Sequence, residues 1–150
     1  PGHFVENKHS TALVELVDLA PTILDAAGLD VPYYMQGKSL FRLLSGSKNI
    51  NDHKEHVICE YNDALGQETV ADQHNYEGSH GIMYFDGHFK VNVYQDHNIG
   101  EIYDLREDPG EFNNLWFDKN FKEKKQDLLL KHYHAYMATS SAGIKRTTNF

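Results

Sequence analysis

The sequence predicts an α+β fold: a small antiparallel sheet of about four strands covered by a C-terminal helix, with two short helices ahead of it. Three observations point there. The hydrophobic period shifts from that of a helix to that of a strand near residue 57. An Asp86-Gly87 pair separates two alternating runs, the strongest short-range signal for a hairpin. One long amphipathic stretch, beginning near residue 119, then supplies a helix able to cover a sheet face.

The elements follow in order. Residues 11 to 17 are apolar and read as a short buried strand or the approach to a helix. Asp18 is placed as an N-cap, Pro21 sits in the first turn where its missing N–H costs nothing, and Leu19, Ile23, Leu24 and Ala27 form the stripe that Gly28 ends. After a loop, Ser39 caps a second short helix, Leu40 to Leu44, closed by Gly46. The polar stretch 47 to 56 reads as a connection, which divides the chain into residues 1–50 and 51–150. Strands are expected at 57–61, 80–85, 88–94 and 99–105. Asp118 then caps a helix over about 119–138 whose inner face carries Phe121, Leu128, Leu129, His132, Ala135 and Tyr136. Glu123, Asp127, Lys131 and His134 fall on its outer face.

Between the last strand and that helix lies "EIYDLREDPGEFNNLW", residues 101 to 116. Pro109 and Gly110 turn the chain, and Leu115, Trp116 and Phe117 are expected to wedge apolar mass under the helix start. The polar tail after Ser140 is left irregular.

Composition removes several function classes. A net charge of −8 over 150 residues argues against nucleic acid or an anionic membrane surface as partner, and no apolar run is long enough to span a bilayer. Cys59 is the sole cysteine, so neither an internal disulfide nor a cysteine-built zinc site can form. It lies mid-strand in an apolar run and is expected to pack. The pairs His53/His56 and His132/His134 lack further ligands at a metal-binding spacing, and His132 is expected as a packed, hydrogen-bonded histidine. No glycine-rich phosphate loop, Gly-x-Ser-x-Gly elbow or Asn-x-Ser/Thr acceptor is present.

The long aperiodic stretch between the first two strands is more suggestive. Long loops inside a small sheet are commonly functional or structureless. This one carries His74, Asn75 and Tyr76, with Asn62 at its start and His80 where it re-enters the sheet. Their side chains can hydrogen-bond a polar ligand or stack on a ring. His80 is the leading candidate, because a strand anchors it.

"VELVDLAPTILDAAGLDVP", "MQGKSLFRLLSG" and "GEIYDLREDPGEFNNL", in this order, resemble the C-terminal part of type I sulfatases of the alkaline-phosphatase-like superfamily. The resemblance implies that residues 1–50 carry the last helices of a larger α/β catalytic domain and residues 51–150 the C-terminal subdomain bordering its substrate cleft. It also implies a sulfuric ester hydrolase that uses calcium and a formylglycine made from Cys or Ser in Cys/Ser-x-Pro-x-Arg. Here Cys59 is followed by Glu60, Tyr61, Asn62 and Asp63, and no serine fits the pattern. No catalytic or metal residue is therefore carried over. Calcium and formylglycine are expected in the parent enzyme, upstream of Pro1, with this fragment catalytically empty. The implied partners are the missing N-terminal catalytic domain and a sulfated small molecule or glycan. Exposed Leu19, Ile23, Leu24, Phe41 and Leu44 would favour self-association of the fragment. The alternatives are a phosphodiester or phosphonate hydrolase of the same superfamily, or a free-standing non-catalytic binding module. The expected location is periplasmic or exported.

Overall fold

Four strands form one sheet in chain order: β1 (Val57–Asn62), β2 (His80–Phe85), β3 (Phe89–Tyr94) and β4 (Gly100–Asp104). β2 pairs antiparallel with β3, and β3 with β4. Three helices accompany them: α1 (Leu19–Ala26), α2 (Phe41–Leu44) and α3 (Lys122–Ser140). This computed structural model describes residues 4–62, 80–95 and 98–140. The chain divides into two compact units, one running to Val57 and taking in the chain from Tyr136, the other spanning Ile58–Ala135.

In the second unit, strand alternation decides what is buried. Tyr84 on β2, Phe89 and Val91 on β3 and Ile102 on β4 share one face, and α3 lays Leu128 and Ala135 against it. Ile58, Val93, Leu115, Trp116, Phe121 and Leu129 pack around this cluster. Burying a side chain such as Leu128 completely is worth about 1.5–3 kcal/mol. His132 lies in the same helix stripe and donates from Nε2 to the Ile82 carbonyl, 3.0 Å away, as a packed histidine must.

The β2–β3 hairpin turns where Asp86 Oδ1 accepts from the backbone N–H groups of His88 (3.0 Å) and Phe89 (2.8 Å). Beyond β4, three more short polar side chains hold the corner. Asp104 Oδ1 accepts from Arg106 N and Glu107 N, and the Asp108 carboxylate from Phe112 N and Asn113 N. Asn114 stands in for a neighbouring strand: its Oδ1 accepts from Ile102 N at 3.1 Å and its Nδ2 donates to the Gly100 carbonyl at 3.1 Å. The Trp116 ring covers Gly100 so closely that a Cβ there would lie 2.3 Å from it. The corner is thus built to close the β4 edge and seat the tryptophan.

Three expectations change here. Phe117 is 71% exposed rather than wedged under the helix. Residues Leu115–Phe117 form a 3₁₀ turn, whose three residues per turn send Leu115 and Trp116 inward and Phe117 out. Asp118 caps a further 3₁₀ turn, Lys119–Phe121, through its bond from Asn120 N, so the α-helix proper begins only at Lys122. Cys59 is exposed as well. Ile58 faces the core, and a period of two turns Cys59 to the other face of an edge strand.

The first unit is packed the other way. Asp18 is 0% exposed and Thr22 is buried, while Leu16 is 85% and Ile23 68% exposed, with Val14, Val17 and Leu19 also outside. Residues 11–15 take no regular structure and lead into a 3₁₀ turn, Leu16–Asp18, which runs into α1. Asp18 occupies the N-cap position of α1 but makes no cap bond with its side chain. The carboxylate points instead into the centre of the unit. Ser39 behaves as expected, accepting from Phe41 N at the start of α2.

Candidate functional site

His80 opens β2, and its backbone carbonyl accepts from Gln95 N, so its position is set by the β2–β3 ladder. Its ring reaches across both neighbouring strands. Nδ1 is 2.9 Å from Gln95 Oε1, and Nε2 is 2.9 Å from Glu60 Oε1 on β1. The imidazolium form, with a hydrogen on both ring nitrogens, satisfies both oxygens at once. The bonds to Gln95 and then Glu60 accordingly hold the His80 pKa above its ordinary value. The side chain keeps partial exposure, so the sheet presents an oriented cation beside the Glu60 carboxylate.

Asn62 ends β1 with its side chain exposed. His74, Asn75 and Tyr76 lie outside the described residues. Asn62 and His80 therefore flank the segment that carries the other three candidates, at the ends of adjacent strands. The sequence reading missed Glu60 and Gln95, the two groups that fix the His80 ring. Period two does put Glu60 on the face of Ile58, but the register that brings it to His80 has no local signal.

A second polar constellation lies wholly within the first unit. The Asp18 carboxylate accepts from Glu15 N at 3.0 Å and Lys38 N at 2.8 Å. It pairs with Lys54 Nζ at 2.6 Å, and His53 Nε2 lies 3.3 Å away. Burial alone would raise the Asp18 pKa; the Lys54 hydrogen bond, those from Lys38 N and Glu15 N, and the Lys54 charge bring it below the ordinary carboxylate value. His53 shifts down, because burial opposes its charge more than Asp18 favours it, and Lys38 and Lys54 add repulsion. Lys38 reaches the knot only because Gly37 lets two backbones touch: a Cβ there would lie 1.8 Å from the Val17 carbonyl oxygen. Every acceptor site of this carboxylate is turned to folding, and the group has no free face for a substrate.

Calcium and formylglycine do not fit these residues. Among the described residues no group of three or more His, Cys, Asp or Glu side chains could hold a metal ion. Cys59 stands on an exposed strand without the proline and arginine that the modification requires.

Known proteins place this geometry. The family model described as N-sulphoglucosamine sulphohydrolase, C-terminal, matches residues 1–138. N-acetylglucosamine-6-O-sulfatase of Bacteroides thetaiotaomicron is 34% identical over 122 residues, 80% of this chain and 20% of that protein. A structure solved in complex with its substrate D-glucosamine-2-N,6-O-disulfate superposes with a TM-score of 0.62 at 28% identity, over 82% of this chain and 24% of that one. A phosphonate monoester hydrolase from Silicibacter pomeroyi has a TM-score of 0.69 at 22% identity, over 85% of this chain and 26% of its own, a likeness of fold alone. The chain spans about a fifth of the length of the curated relatives it matches. With its sheet, covering helix and corner all accounted for, the chain belongs to the N-sulphoglucosamine sulphohydrolase C-terminal family.

Proposed function

We propose that this chain is the C-terminal portion of an exported sulfatase that removes sulfate from a sugar-borne ester. The observation that carries the reading is the family match over residues 1–138 in a chain that covers only a fifth of a sulfatase relative. The packing of the first unit supports it: Leu16, Leu19 and Ile23 face outward as they would to meet the larger catalytic domain. In this reading calcium and the formylglycine nucleophile come from polypeptide outside the chain. There they would supply the nucleophile and the charge stabilisation for sulfate cleavage. The chain's own part is to complete the fold and to border the cleft.

There the His80 ring, its two nitrogens held by Gln95 and Glu60, would offer its face and its charge to the sulfated sugar. Asn62, His74, Asn75 and Tyr76 would add polar and stacking contacts around it. Two assays test this. The chain alone should give no turnover of an aryl sulfate with calcium present; turnover abolished by Cys59→Ala would overturn it. In the full-length enzyme, His80→Ala should lower kcat/KM about tenfold, through the loss of that ring contact and charge, with little change in Tm. Unchanged kinetics on N-acetylglucosamine-6-sulfate would remove His80 from the site. The chain by itself should also associate through its outward apolar side chains, and strictly monomeric sedimentation at high concentration would contradict that.

A further inference from the structure

The sheet face turned away from α3 carries an arrangement that sheet stability does not require. Asn92 on β3 stands opposite Glu101 on β4, and Lys90 opposite Tyr103. Asn92 Nδ2 donates to Glu101 Oε2 at 2.6 Å, and the Tyr94 hydroxyl donates to the same oxygen at 3.2 Å. Glu101 Oε1 and Asn92 Oδ1 take no bond among the described residues. Both belong to half-buried side chains oriented by their mutual bond, so each keeps one acceptor unoccupied. A tyrosine ring flanks the pair at each end. Tyr94 lies two residues along β3, its ring over Gly81 of β2, and Tyr103 lies two residues the other way along β4, with Lys90 Nζ 5.8 Å from its ring centroid. At strand rise the two tyrosine positions are about 13 Å apart along the sheet.

We infer that this face binds a short unsulfated oligosaccharide, with hydroxyl or amino groups donating to Glu101 Oε1 and Asn92 Oδ1 and sugar rings resting on Tyr94 and Tyr103. Acceptors between aromatic rings match the two sides of a sugar, whose edge is all donors and acceptors and whose face is C–H. Charge selects against sulfate. Lys90 is the one cation of the arrangement and is already paired with Glu111, which leaves Glu101 to repel an anion. The site stands apart from the hydrolytic reading, and nothing in it depends on sulfate cleavage.

The test is an NMR titration of the chain with N,N′-diacetylchitobiose, a neutral disaccharide. Saturable shifts should gather on β3 and β4 at Asn92, Tyr94, Glu101 and Tyr103 while the core signals of Val91, Ile102 and Leu128 stay in place. Glu101→Gln and Tyr103→Ala should each weaken the apparent Kd about tenfold, with the core signals certifying that both variants are folded. The same titration with N-acetylglucosamine-6-sulfate should leave this face unmoved. Absence of shifts, shifts elsewhere on the chain, an unchanged Kd in both variants, or equal binding of the sulfated sugar here would each overturn the inference. Full-length kinetics on a sulfate ester form a separate readout, so failure of the one does not carry the other.

Discussion

Val91, Ile102 and Leu128 sit fully buried at the centre of the second unit, whereas the centre of the first unit is a carboxylate, Asp18. Around Leu128 the neighbours are aliphatic and aromatic. Around Asp18 they are two backbone N–H groups, a lysine and a histidine. The second unit has an apolar core of its own, with Phe112, Phe117 and Leu130 left outside it. The first keeps Leu16, Leu19 and Ile23 outside and holds its turns together through polar bonds. A small segment can be ordered in this way only if its buried charge is fully satisfied, because an uncompensated one costs several kcal/mol. The difference teaches that one unit is centred on apolar packing and the other on a buried charge whose partners all come from the chain itself.

Removing the centre of each unit is the strongest way to break the comparison. Asp18→Ala strands two backbone donors, leaves Lys54 with Glu15 alone, and should cost the first unit about 3–5 kcal/mol. Leu128→Ala leaves a cavity in the second unit and should cost about 2–5 kcal/mol. Hydrogen exchange read separately in α1 and in β3 would assign each loss to its unit. A loss below about 1 kcal/mol for Asp18→Ala would mean that the knot decorates the unit without holding it.

Two glycines sharpen the contrast at the next level. A Cβ at Gly37 meets backbone, the Val17 carbonyl at 1.8 Å, while one at Gly100 meets the Trp116 side chain at 2.3 Å. A ring can tilt and a backbone turn cannot. Gly37→Ala should therefore destabilise by about 3 kcal/mol or more and Gly100→Ala by about 1–3 kcal/mol. Denaturant midpoints in the reverse order would show that the first unit is the more yielding.

The pH response should separate the units by sign. His53 is held below its ordinary value of 6.5, so the stability it lends the first unit is complete above pH 6.5 and is lost as pH falls through its folded value. Asp18, held below 3.8, adds a second loss further into acid. His80 is held above 6.5, so its contribution to the second unit is complete below pH 6.5 and is lost as pH rises through its folded value. Between about pH 8 and pH 5, exchange protection should fall in α1 and hold or rise slightly at the β2 end. His53→Gln and His80→Gln should each flatten only their own profile. Parallel profiles in the two units would contradict the assignment.

The smallest effect is expected at Cys59. It is exposed on the edge strand, and Cys59→Ser should shift stability by no more than about 0.5 kcal/mol. A larger loss would restore the packing role that its apolar neighbours suggested.

The sequence by itself determined the four strands, the hairpin at Asp86, the covering helix and the inner face bearing Leu128, His132 and Ala135. Those features depend on period and turn chemistry, which act over a few residues and are written where they act. Even the backbone partners of Asp104 and Asp108 lie nearby along the chain. Tertiary structure alone decided the fate of Asp18. An aspartate ahead of a helix has the same local chemistry whether it caps that helix or turns inward; here Lys38 and His53, 20 and 35 residues away, draw it inward. It also decided the setting of His80, since Glu60 and Gln95 reach the ring only through strand register. Exposure of Cys59 and Phe117 followed from an edge position and a 3₁₀ turn rather than from their hydrophobicity. The divide is one of range: groups whose partners are neighbours in sequence are legible there, and groups whose partners arrive through the path of the chain are not.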